Sequence, residues 1–82
     1  MKMIGYRRAD FTTTDKIEIT GYNVYIATEI DPRNGAGVMV ERMYLSDAKI
    51  AREHIDLEKI IGREIRVYYN RYGKIDSIVL QD

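Results

Sequence analysis

Apolar and polar positions alternate with a period of two through most of the chain, which is the signature of half-buried strands rather than amphipathic helices. The clearest case is the last third. Ile65, Val67 and Tyr69 alternate with Glu64, Arg66 and Tyr68, and a second alternating run ends at Leu80. Between them, Asn70 can open a turn and Gly73 can take the left-handed position that closes a short hairpin. Residues 2–13 read as a first strand and Thr14-Asp15-Lys16 as a turn. A long second strand runs from Ile17 to Ile30. Its apolar positions change parity from Ile17 and Ile19 to Val24, Ile26 and Ile30, so a bulge or bend is expected at Gly21.

The stretch Asp31-Pro32-Arg33-Asn34-Gly35-Ala36-Gly37 is the strongest loop signal, and Val38 to Leu45 follows as a third strand. There the period changes. Ser46 is a helix N-cap before residues 47–52, and Asp56 caps a second helical piece, Leu57 to Ile61, with Gly62 as its stop. The order is β-β-β-α-β-β. It predicts a mainly β protein: a single domain over residues 1–82 folded as a five-stranded OB-fold-like barrel, with a short two-piece helix between strands 3 and 4.

Composition narrows the possibilities. At 82 residues the chain supports one core, burying roughly 60–65% of its unfolded surface. Without cysteine it has no disulfide framework and no thiolate metal site. No apolar run approaches the ~20 residues of a membrane span, and the first residues lack a signal-peptide core, so a soluble, cytoplasmic protein is expected.

Thirteen basic residues balance thirteen acidic ones. That zero net charge counts against a dedicated nucleic-acid binder, but the distribution is uneven. Residues 63–74 carry Arg63, Arg66, Arg71 and Lys74 against Glu64 alone, and residues 1–8 carry Lys2, Arg7 and Arg8 with no acid.

Tyrosine is the compositional outlier, seven against one phenylalanine and no tryptophan. Tyrosine suits a pleated, half-buried surface, and Tyr69, in phase with Ile65 and Val67, is expected in the core. Tyr25, out of phase with Val24 and Ile26, and Tyr72, at a turn tip, are less easily explained by packing. Aromatic rings beside cations are what single-stranded nucleic acid requires, because bases stack on the rings and cations hold phosphates. The candidate nucleic-acid-binding residues are therefore Arg7, Arg8, Lys16, Tyr25, Arg66, Tyr68, Arg71, Tyr72 and Lys74.

Enzymatic signals are weak. Glu29 and Asp31 form a loop-edge carboxylate pair of the solvent-facing kind, and His54 fits a helix C-terminus. No spacing resembles a metal site, and the glycine-containing loop precedes a strand instead of the helix that a phosphate-binding loop requires. A non-enzymatic protein without a cofactor is expected.

Phe11-Thr12-Thr13, followed after seven residues by Gly21 and then Tyr25, together with Tyr72-Gly73 before an alternating strand, resembles the small single-stranded DNA-binding proteins of filamentous bacteriophages. The resemblance covers roughly residues 1–30 and 63–80. It implies a homodimer, encoded by a phage or other mobile element, that coats single-stranded DNA cooperatively and without strong sequence preference. Tyr25 would contact DNA, and Tyr72 would sit on a tip near the dimer axis. RNA stays open as a ligand. The alternative is an OB module for dimerisation or protein–protein interaction that binds no nucleic acid.

Overall fold

The computed structural model describes residues 1–81. Its elements are β1 (Lys2–Arg8), β2 (Phe11–Thr12), β3 (Glu18–Ile19), β4 (Gly21–Glu29), β5 (Val38–Ser46), α1 (Asp47–Arg52), α2 (Leu57–Ile60), β6 (Ile65–Tyr69) and β7 (Ile75–Leu80). The fold is mainly β, with two short helices at the expected place. β1, β4 and β5 form an antiparallel sheet in the order β1-β4-β5, while β2-β3 and β6-β7 are separate two-stranded ribbons. These sheets stay open and do not join into a closed barrel. The β6–β7 ribbon is tied to the larger sheet by an antiparallel bridge, Lys2 to Glu64, with the backbone hydrogen bonds around it, and by contacts between β7 and β5.

The first two expected strands are each interrupted. The ladder stops at Ala9–Asp10 on one side and Thr20 on the other. Here the Asp10 carboxylate accepts the Gly21 N–H at 3.3 Å, and the Ala9 N–H donates to the Gly21 carbonyl at 2.9 Å. A side chain thus takes over a backbone donor, and the hairpin bends where the apolar parity changes. At its far tip Lys16 adopts a left-handed backbone (φ 63°), and Thr13 Oγ1 accepts the Ile17 N–H.

Both helices begin as expected. Ser46 Oγ accepts the Lys49 N–H, and Asp56 Oδ1 accepts the Lys59 N–H, each satisfying an otherwise orphaned donor of the first turn. Gly62 (φ 76°) ends the helical segment. The β6–β7 turn is held by Asn70 Oδ1, which accepts from the N–H groups of Tyr72 and Lys74, with Gly73 at φ 77°.

The core lies between the inner face of the β1-β4-β5 sheet, the β6–β7 ribbon and α2. Met3, Val24, Ile26, Leu45 and Ile65 are almost completely buried in it, and Leu57 and Ile60 close it from the helical side. Tyr69 departs from expectation, being 43% exposed. The ladder slips between Tyr68 and Tyr69, which pairs Tyr69 with Ile75, and the gap between the open sheets leaves its ring half in solvent. Only its hydroxyl reaches inward, 3.7 Å from Met43 Sδ.

Candidate nucleic-acid interface

Register decides which side chains share a face. Every β4–β5 pair follows one uninterrupted register from Gly21↔Ser46 to Glu29↔Val38. Val24 and Ile26 point into the core, so Asn23, Tyr25 and Ala27 point out, with Tyr44, Arg42 and Val40 opposite them. β1 adds Arg7 opposite Asn23 and Gly5 opposite Tyr25, after a bulge between Met3 and Gly5. The outer face therefore places Tyr25 between Gly5 and Arg42, with Arg7 one rung away. Gly5 has no side chain, which leaves that flank of the Tyr25 ring uncovered. Of the acids in these three strands, Glu41 is on the inner side and Glu29 lies at the far end of the outer face.

Arg42 was not among the residues expected from sequence. Its place opposite Tyr25 depends on the register set by the 30–37 loop, although its phase with Val40 and Tyr44 was visible.

The β6–β7 tip is a second cationic-aromatic group. The Arg71 guanidinium lies 5.0 Å from the Tyr72 ring centroid and donates to the Tyr72 hydroxyl at 2.8 Å, so cation and ring are held together at the tip. Tyr72 is 71% exposed, and Lys74 is exposed beside it. The Tyr69–Met43 contact anchors the base of this tip to the inner side of β5, the face opposite Arg42.

The remaining candidates are placed elsewhere. Arg66 and Tyr68 are exposed on β6, which belongs to the separate β6–β7 ribbon and not to the β1-β4-β5 sheet. Lys16 stands alone at the tip of the β2–β3 ribbon, beside the exposed Asp15.

Arg8 is committed to carboxylates. It makes a bidentate pair with Asp47 at 3.0 and 2.8 Å, contacts Asp10 at 2.9 Å and lies 5.0 Å over the Tyr22 ring. A phosphate would have to displace these partners. The hydrogen bond from Arg8, then one from Thr20, holds the Asp47 carboxyl below its usual range, and hydrogen bonds with Asp47, then Tyr22 and Asp10, raise Arg8.

The sign of the pH effect follows. Asp47 has a lower pKa folded than unfolded, so its stabilisation is full above the ordinary carboxylate value near about 4 and is lost as pH falls through the depressed one. Asp47→Asn should therefore lower stability in urea at pH 7, and the difference from wild type should shrink below about pH 4. A difference that stays constant down to pH 2.5 would show that the ion pair is not its source.

Beneath the bend, Tyr44 crosses Gly21 and donates its hydroxyl to the Ala9 carbonyl at 3.1 Å, with Phe11 edge-on to its ring. Burial, then the carboxylates of Asp10 and Asp47, raise the Tyr44 hydroxyl above its usual range, which keeps it a donor.

Among the described residues, no group of three His, Asp or Glu side chains is placed to hold a metal ion. No helix there is long and apolar enough to cross a membrane. Comparison with protein-family models, with characterised proteins and with solved structures returns no match.

Proposed function

We propose that the protein binds single-stranded DNA without strong sequence preference, on the outer face of the β1-β4-β5 sheet, with the β6–β7 tip as a second contact. The observation that carries this reading is the cross-strand pair Tyr25–Arg42 with Arg7 one rung away, a stacking ring flanked by cations on a face whose one strand acid is distant. Bases stack on Tyr25 and Tyr72, and Arg7, Arg42, Arg71 and Lys74 hold phosphates. Arg66, Tyr68, Lys16 and Arg8 are peripheral to that path.

An open OB-like arrangement supports the same reading. A three-stranded meander, a helical insert and a closing hairpin follow in that order, with the start of β6 meeting β1 and β7 touching β5. In such folds the central strands and the loops flanking them form the oligonucleotide face. The likeness to filamentous-phage DNA-binding proteins points to the same ligand.

The test is quenching of tyrosine fluorescence by oligo-dT at two salt concentrations. With about four phosphates neutralised per chain, log K should fall against log salt with a slope near −3. Binding that is absent at low salt, or indifferent to salt, overturns the proposal. Parallel titration with oligo-rU tells whether RNA competes as a ligand.

A further inference from the structure

β5 is the last strand of its sheet, and its outer edge is unpaired. Two loop hydrogen bonds fix which of its backbone groups face that edge. Ile30 N–H donates to Gly37 O at one end of the β4–β5 ladder, and Asp47 N–H to Thr20 O at the other. Both belong to the register that pairs Val38 with Glu29, so hydrogen-bonded and non-bonded pairs alternate inward from them. Met39, Glu41 and Met43 thus bond to β4, whereas Val38, Val40 and Arg42 direct both N–H and C=O away from it. Among the described residues no other segment accepts or donates at those groups. Beside them the side chains of Val38, Met39 and Val40 are 62, 45 and 53% exposed.

A bare edge of this length with three consecutive exposed apolar residues is normally covered or blunted by charge. We infer that it pairs antiparallel with the same edge of a second copy of this chain, about a twofold axis at Val40. Charge excludes the neighbouring registers on one side, and strand length favours Val40 over Met39, whose axis would leave Arg42 opposite residue 36, outside the strand. Pairing must set outward-directed residues against each other, which restricts the shift to steps of two. A twofold axis at Glu41 sets Glu41 against its own copy, and one at Arg42 does the same for Arg42; like charges directly opposite are destabilising. Centred on Val40, the pairing sets Val40 against Val40, Val38 against Arg42 and Met39 against Glu41. Such a pairing forms roughly six inter-chain hydrogen bonds, two for each bonded pair. The apolar patch is covered, and both copies of the Tyr25–Arg42 face lie on one side of a continuous six-stranded sheet. This inference does not depend on the DNA reading.

The test is sedimentation velocity on the full chain with single substitutions. The wild type should sediment at twice the 9.6 kDa chain mass. Val40→Lys, at a half-exposed site where the monomer can keep its fold, should sediment at once that mass with an unchanged circular dichroism spectrum. The chain lacks cysteine, so Val40→Cys provides an independent reading. Its Cα atoms would face each other at about 5.5 Å, within disulfide range, and mild oxidation should give a covalent dimer. Arg42→Cys should not cross-link at that rate. A monomeric wild type, a dimer indifferent to Val40→Lys, or cross-linking at Arg42→Cys in place of Val40→Cys would each overturn the inference.

Discussion

Gly21→Ala is expected to be the most destabilising single-atom addition in the chain. A β-carbon at this position would lie 2.5 Å from the Leu45 carbonyl oxygen, 2.7 Å from the Tyr44 hydroxyl and 2.8 Å from the Ser46 Cα. Two of these three atoms are backbone of the neighbouring strand, so rotamer adjustment cannot relieve the clash. The β4–β5 ladder must part at its end, and there the Ala9–Gly21 and Asp10–Gly21 hydrogen bonds also hold the bend. Overpacking of this kind costs about 1–3 kcal/mol and occasionally more, and the backbone contacts place Gly21→Ala at or above about 3 kcal/mol. For a domain of this size that lowers Tm by roughly 12–24 °C, against a total stability of about 4–12 kcal/mol.

Gly5→Ala is the control, since its β-carbon meets nothing within 4 Å; its melting temperature should stay close to wild type. Adding Tyr44→Phe to Gly21→Ala removes one of the three clashing atoms and should recover only part of the loss. A Gly21→Ala protein that melts with the wild type would mean that the two strands do not approach as described.

The Gly21 bend also marks how far local sequence information reaches. The change of apolar parity between Ile19 and Val24 is a local signal, and it announces the bend. So are the caps at Ser46 and Asp56, the stop at Gly62 and the Asn70–Gly73 turn, because each depends on groups within a few residues of one another. What could not be read depends on partners distant in the chain. Arg8 looks like a free cation in an acid-free N-terminus, yet its main partner is Asp47, 39 residues away. Arg42 sits opposite Tyr25 only because the 30–37 loop fixes one register among several. Tyr69 has core phase, but phase states which way a side chain points and not whether anything covers it; with the sheets open, little does. A shared composition does not make the expected binding residues one surface. Sheet order divides them: Arg7 and Tyr25 share the outer face of the β1-β4-β5 sheet, while Arg66 and Tyr68 lie on the separate β6–β7 ribbon.

That division makes the binding proposal selective, and a pair of double substitutions tests it. Tyr25→Ala with Arg42→Ala removes one stacking ring and one phosphate cation from the same rung of the sheet. Loss of a stacked base contact costs about 1–3 kcal/mol, which alone is roughly a 5- to 150-fold rise in Kd for oligo-dT. Removing Arg42 adds to this at low salt and should flatten the salt slope by about 0.7. Both side chains point away from the core, so the melting temperature should hold. Arg66→Ala with Tyr68→Ala changes the same two residue types on the β6 face, and should leave affinity within a few-fold of wild type. The comparison separates a defined site from general attraction, because both variants lose the same charge. If the two weaken binding equally, charge and aromatic content are acting without regard to position, and the outer face of β1, β4 and β5 is not the site. If only Arg66→Ala with Tyr68→Ala weakens it, the interface lies on the closing hairpin, and the Tyr25–Arg42 pair has another role.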